Sequence, residues 1–308
     1  MVDVLAGIPS SDADRIRQLP CARSATAVSV LAGGITNRNY KVITPSGMIV
    51  VRLSDAQSSV LAIDRDNEHL NSISAAISGV GAPVIEYSPD AGALVVGWIE
   101  GRTFTEVDVR EPVNLLRIAA AAQQLHAGPR FVSDFNMFAI QERYLALVQA
   151  QGYRLPDRYL EFLPKFELMK QAMFQHPEPT VPCNNDLLAA NFIDDGERLW
   201  LIDYEYSGNN EASFEIGNIW SESTLPDELL EVLVTSYWGR PTFSKLARAR
   251  LWGLASKYGW TLWASIQAAI SPIDFDYWSW GMEKYDRAVA EFDNPGFAGL
   301  LHSVTTAE

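Results

Sequence analysis

Between residues 27 and 97 apolar positions alternate with polar ones over short runs rich in β-branched side chains: ATAVSVLAG, NYKVITPSGMIVVRL and APVIEYSPDAGALVVGW. A period of two bounded by turn residues predicts strands. Pro45, Ser46 and Gly47 turn the second stretch into a hairpin, and residues 89–92 do the same for the third. Between these hairpins, over residues 60–78, Ile63, Leu70, Ile73 and Ile77 fall near helical spacing and Gly79 follows as a stop. The expected unit is a five-stranded antiparallel sheet with one helix, preceded within residues 1–22 by a short acidic helix that ends near Pro20.

Beyond residue 101 the period lengthens. PVNLLRIAAAAQQLHAG opens with Pro112 near the first helical position and closes at Gly128 and Pro129. Further helices are expected near 136–150, 157–175, 214–223, 226–237, 244–270 and 277–292. One stretch interrupts them, VPCNNDLLAANFIDDGERLWLIDYEY. There an apolar run ends at Cys183, a polar loop follows, Asp195 and Gly196 make a turn, and RLWLID returns as a second strand of one hairpin. The fold class is α+β: a small antiparallel β-sheet N-lobe over residues 1–97, a hinge over 98–101, and a larger, mostly helical C-lobe over 102–308, with the active site between the lobes.

Composition narrows the setting. With 308 residues and 48% hydrophobic content the chain buries a sizeable core. The longest weakly polar run, residues 260–270, is shorter than the ~20 residues a bilayer span needs, so no membrane insertion is expected. The first 18 residues lack a basic segment and carry early acids, unlike a secretory signal. Cys21 and Cys183 stand far apart without metal-ligand spacing, which fits a reducing cytoplasm. A net charge of −14 disfavours nucleic acid and mildly favours a cationic ligand.

The polar loop carries the chemistry. Asp186 is followed five residues later by Asn191, and Asp203 ends the returning strand. Phosphoryl transfer asks for an aligned hydroxyl and a cation that neutralises phosphate charge. Asp186 suits the first task, as proton acceptor, while Asn191 and Asp203 offer the hard oxygens that Mg²⁺ prefers. An Asp- and Asn-rich turn between strands would show the same residues.

In the N-lobe, Gly33 and Gly34 precede Thr36, Asn37 and Asn39 on a segment whose backbone could approach phosphates, or simply make a hairpin turn. Arg52 ends the third strand and Glu68 lies in the next helix, the order in which a kinase places its phosphate-contacting cation and the acid that orients it. Lys is usual there, and Arg keeps the charge with a planar fork suited to phosphate oxygens. Near the C-terminus Trp260, Trp263 and Gln267 share one helical face, and Tyr277 and Trp280 repeat the spacing on the next helix. With Tyr206 and Glu222 they could box a quaternary ammonium, although an aromatic core produces similar stripes. His126, near the end of an apolar helix, reads as a structural residue.

Taken together these residues resemble the choline kinase family, within the aminoglycoside-phosphotransferase-like kinases, over residues 31–292. GGITNRNYKV resembles the family's phosphate loop; VVRL with DRDNE its Arg and helix Glu; CNNDLLAANF and LIDYEYSGNNEASFEIGN its catalytic and metal segments; and WTLWASIQAAISPIDFDYWSW the aromatic segments of its choline pocket. The resemblance implies a protein-kinase-like bilobal fold, ATP and Mg²⁺ as cofactors, Asp186 as base, Asn191 and Asp203 as metal ligands, and Arg52 with Glu68 at the phosphates. It also implies Tyr206, Glu222, Trp260, Trp263, Tyr277 and Trp280 around a trimethylammonium group. Two positions depart from the pattern: Asn184 stands where the family has His, and Trp280 where eukaryotic relatives have Tyr. The expected activity is phosphorylation of choline to phosphocholine. Ethanolamine or another small amino alcohol is the alternative acceptor, and Asn184 motivates a catalytically silent, ligand-binding alternative. A homodimer is compatible with the sequence.

Overall fold

The computed structural model describes residues 4–54 and 60–306. Helix α1 (Ser10–Gln18) is followed by a 3₁₀ turn at Pro20–Ala22 and then by β1 (Ala27–Leu31), β2 (Arg38–Thr44), β3 (Gly47–Leu53), β4 (Val84–Ser88) and β5 (Ala93–Gly97). These form one sheet in the order β1-β2-β3-β5-β4 with antiparallel neighbours throughout. Tyr40, Val42, Val51, Leu53 and Val95 point to the face covered by Ile16 and Leu19, as period-two patterning requires.

Helix α2 (Arg65–Ser78) starts later than its apolar spacing suggests. Asp64 caps it by accepting from the backbone N–H groups of Asp66 and Asn67, and Gly79 ends it at φ +86°. The first five residues of the expected helix, 60–64, lie outside the α-helix instead. Its periodic Leu70, Ile73 and Ile77 face outward, whereas the buried side chains are Glu68, Asn71, Ser72 and Ala75. The helix turns polar residues inward because that face borders the cleft.

After β6 (Arg102–Thr103) come α3 (Glu106–Val109), α4 (Pro112–His126), α5 (Met137–Gln151) and, behind a 3₁₀ turn at Tyr159–Phe162, α6 (Leu163–Gln175). The polar stretch contains β7 (Thr180–Cys183), β8 (Phe192–Asp194), β9 (Leu199–Leu201) and β10 (Gly208–Glu211). It is two ladders rather than one hairpin. β8 and β9 pair across Asp195 and Gly196, but β7 pairs with β10, in the register Cys183 to Gly208. β10 was not expected because its Gly-Asn-Asn-Glu sequence has no apolar alternation, and its side chains are buried for their hydrogen bonds instead.

The remaining helices are α7 (Ala212–Glu222), α8 (Asp227–Trp238), α9 (Phe243–Ile270), α10 (Tyr277–Phe292) and α11 (Phe297–Thr305). Buried α9 is the post on which α5, α7, α10 and α11 pack. Among the described residues no helix is long and apolar enough to cross a membrane. Glycines set how closely this post is approached. A Cβ on Gly217 would lie 2.0 Å from the Ala249 carbonyl oxygen, and one on Gly281 would lie 2.4 Å from the Ala264 Cβ. Those crossings fix the ends of α7 and α10, where Glu222 and Trp280 project.

Candidate active site

The loop after β7 is held from behind by buried polar groups. Asn185 adopts φ +67°, and its side chain donates to the carbonyls of Cys183, Tyr206 and Gly208 at 3.1–3.2 Å. The Glu215 carboxylate accepts the backbone N–H groups of Asn184 and Asn185, both at 2.8 Å, and the Asn218 side chain accepts that of Leu187 at 2.8 Å. These bonds satisfy a buried irregular backbone. His126 stands behind the loop, its Nδ1 2.6 Å from the Tyr237 hydroxyl and its Nε2 3.6 Å from Cys183 Sγ, while burial raises the Cys183 thiol well above its usual range.

Asp186, Asn191 and Asp203 converge at the front of this loop. Asn191 gives its side-chain NH₂ to the Asp186 carbonyl oxygen at 2.7 Å, leaving its amide oxygen as the atom it can offer a cation. Asp203 adopts φ +65°, and its Oδ1 is buried without a hydrogen-bond partner among the described residues. One orphaned carboxylate oxygen beside one amide oxygen is a donor set that fits a hard divalent cation.

Arg52 reaches the same place from the sheet. Its guanidinium lies 2.6 Å from Glu68 Oε1 and 2.5 Å from Asp203 Oδ2. Burial works against its charge, but Asp203, Glu68 and Glu205 outweigh burial and raise its pKa. Asn37 lines the same cavity as Gly33 and Gly34, and its side chain ties that segment to the one after Asp203: its Nδ2 donates to Glu205 at 2.8 Å, and its Oδ1 accepts from Arg65 at 2.9 Å. Burial, then the charge of Asp203, push the Glu205 carboxyl up, with Arg52 and Arg65 opposing.

Two cavities meet here. One, of about 330 Å³, lies under the sheet between Val50, Leu94, Gly97 and Ile202, with Arg52 and Glu68 at its inner end. The other, of about 500 Å³, holds Asp186, Tyr206, Glu222, Trp260, Trp263 and Trp280. Both are lined by Gly33, Gly34, Asn39, Asn191 and Asp203, so a molecule in one could reach a molecule in the other at Asn191 and Asp203. At this junction Gly33 has φ +99°, and a Cβ on Gly34 would lie 2.4 Å from the Asn37 carbonyl oxygen. A larger cavity, about 900 Å³, opens beyond α2 beside Arg15 and Tyr87, but none of Asp186, Asn191 and the two glycines lines it.

The aromatic residues pack edge to face. Tyr206 and Trp260 centroids are 4.9 Å apart, Trp263 and Trp280 5.4 Å, and Trp263 Nε1 donates to the Tyr206 hydroxyl at 2.7 Å. Two expected members do not line the cavity. Tyr277 lies behind Trp263 and gives its hydroxyl to the Ile35 carbonyl oxygen at 2.7 Å, and Gln267 is buried in α9. Helical spacing put them on the right face but could not say how far along the helix the cavity reaches.

Sequence reasoning missed Lys284, Glu205, Arg65, Glu215 and Asn218. Lys284 stands one turn after Trp280 and pairs its ammonium with Glu222 Oε2. In Asp186, burial followed by the charges of Glu222, Asp203 and Glu205 raises the carboxyl well above its usual range, with Lys284 opposing.

Residues 28–230 match the family model for choline/ethanolamine kinase. The probable ethanolamine kinase A of Dictyostelium discoideum is 27% identical over 296 residues, covering 84% of this chain and 84% of that protein. The solved choline/ethanolamine kinase family protein from Mesorhizobium loti superposes with a TM-score of 0.84 at 27% identity, covering 96% of this chain and 99% of the other. The choline kinase LicA from Streptococcus pneumoniae shares the fold, with a TM-score of 0.76 at 23% identity over 93% and 97% of the two chains. The bilobal, protein-kinase-like architecture expected from the sequence is the one observed.

Proposed function

The chain belongs to the choline/ethanolamine kinase family, and on that premise we propose that it transfers the γ-phosphoryl group of ATP, with Mg²⁺, to the hydroxyl of ethanolamine. In this reading residues 1–97 form the nucleotide lobe, 98–101 the hinge and 102–308 the acceptor lobe. The nucleotide lies in the cavity under the sheet, with its phosphates at Gly33 and Gly34. Arg52, aimed by Glu68, meets their oxygens with its planar fork. Asn191 and Asp203 would hold Mg²⁺, which when bound neutralises charge on the phosphates. Asp186 accepts a hydrogen bond from the acceptor hydroxyl, points its oxygen at the γ-phosphorus and takes the proton as the new P–O bond forms and the bond from that phosphorus to the β,γ-bridging oxygen breaks, releasing ADP. Its raised pKa suits it to that proton.

The observation that carries the choice of acceptor is Glu222. Its side chain is 5% exposed, its Oε2 is taken by Lys284, and its Oε1 is buried with no hydrogen-bond partner among the described residues. Glu222 lines the same cavity as Asp186, and a carboxylate oxygen in that position can accept from an N–H. Choline is the second reading, favoured by the Tyr206, Trp260, Trp263 and Trp280 rings around the cavity. The test is transfer of phosphate from labelled ATP to ethanolamine and to choline, with Asp186→Ala as the control. Ethanolamine phosphate is the expected product, and no transfer to either alcohol would overturn the proposal.

A further inference from the structure

Lysine is rarely buried without a partner, and Lys284 is buried to 4% side-chain exposure inside the acceptor cavity. Its ammonium is fixed on two sides, by Glu222 Oε2 and by the Trp280 ring, whose centroid lies 4.1 Å away. One face of the aromatic set therefore already carries a cation, supplied by the chain itself. The other rings hold one another: Trp263 Nε1 is spent on the Tyr206 hydroxyl, and Trp260 stands edge-on to Tyr206.

Resting on the amino-alcohol reading above, we infer that Lys284 is a specificity-determining residue that makes the pocket select ammonium groups bearing at least one N–H over quaternary ones. A quaternary ammonium cannot donate a hydrogen bond, so its recognition depends on aromatic faces and on charge. Here Lys284 holds the Trp280 face, repels a second cation beside it, and neutralises the Glu222 counter-charge while leaving one carboxylate oxygen open. A protonated amine with an N–H needs none of that face. It donates to Glu222 Oε1, a buried acceptor with no partner among the described residues. Lys284 also orients that acceptor, because its grip on Oε2 fixes the carboxylate plane.

The inference predicts where specificity changes along a graded series: ethanolamine, its N-methyl and N,N-dimethyl forms, and choline. The first three keep an N–H when protonated and the last does not. In the wild-type chain kcat/KM falls about tenfold or more at the last methyl, the scale of losing one charge-assisted hydrogen bond, and less at the earlier steps. Lys284→Met frees the Trp280 face and leaves Glu222 unneutralised, so it raises the ratio of choline to ethanolamine kcat/KM by about tenfold, one desolvated cation–π contact, with the KM for ATP unchanged. Lys284→Arg keeps the pair and the wild-type order. A wild-type series with no step at the last methyl, or a ratio that Lys284→Met does not move, overturns the inference. If Lys284→Met does not fold, the wild-type series decides alone. Absence of turnover with all four alcohols overturns the amino-alcohol reading itself, a result distinct from turnover without a step.

Discussion

The side-chain amide of Asn184 donates to the Asp203 carbonyl oxygen at 2.9 Å and to that of Ile202 at 3.1 Å, while its Oδ1 accepts the Asp186 backbone N–H at 3.1 Å. One amide thus ties the Asp186 loop to the segment that carries Asp203. A neutral imidazole offers one donor and one acceptor on opposite ring edges, so it cannot reproduce two donations and one acceptance. Asn184→His should therefore lower kcat without changing the amino-alcohol KM, the opposite of what the family's usual His would suggest. Asn184→Ala should do the same and lower stability by about 1–3 kcal/mol, the range for leaving buried polar groups unpaired. Steady-state kinetics and thermal unfolding check both, and an increase in kcat for Asn184→His would show that the loop was held loosely.

Asp186→Asn preserves shape but removes the carboxylate proposed as proton acceptor. The kcat should fall by about 10²–10⁴-fold, the usual span for a positioned base, while amino-alcohol affinity measured by calorimetry stays within a few-fold. Asp203→Asn acts elsewhere. It exchanges the orphaned carboxylate oxygen for a neutral amide and relaxes its pairing with Arg52, so the Mg²⁺ concentration for half-maximal rate should rise. Equal losses in Mg²⁺ dependence for both variants would mean that Asp186 also holds the cation.

Much of this arrangement was legible in the sequence where a local rule decides it. Period-two patterning and turn residues fix the five-stranded sheet, and the Arg52 and Glu68 order, each on its own element, closes into an ion pair at 2.6 Å. What stayed hidden depends on partners distant in sequence. The β7–β10 ladder is specified by buried asparagines that read as loop, and α2 buries its polar face because of what lies opposite. Lys284 left only a weak signal, its place one turn after Trp280. A lysine on an amphipathic helix ordinarily reads as solvated, and only the fold brings Glu222 against it.

Tyr277 donates its hydroxyl to the Ile35 carbonyl oxygen, linking α10 to the residue that follows Gly34. Tyr277→Phe keeps the ring behind Trp263 and deletes that bond, together with the hydroxyl's contact to Ser271 Oγ within the same segment. If the link holds the glycine segment over the phosphates, the KM for ATP should rise about fivefold, corresponding to about 1 kcal/mol for one hydrogen bond, and the amino-alcohol KM should change less. A larger effect on the amino alcohol would place Tyr277 in its recognition instead.

The Glu215 carboxylate receives two consecutive backbone N–H groups, those of Asn184 and Asn185, at 2.8 Å each. It is fully buried, with His126 Nε2 3.8 Å from its Oε1. Glu215→Gln keeps the size but puts an NH₂ group where one acceptor oxygen stood, so one backbone N–H then faces a donor. The loop must lose that bond or shift. We expect a stability loss of about 1–3 kcal/mol from the unpaired buried N–H and a fall in kcat larger than any change in either KM, because the loop positions Asp186 without touching ATP. Glu215→Ala removes both acceptors and should be the less stable of the two. If Glu215→Gln lowered thermal stability yet left kcat intact, the Asn184, Asn185 and Asn218 side chains would suffice to hold the loop in place.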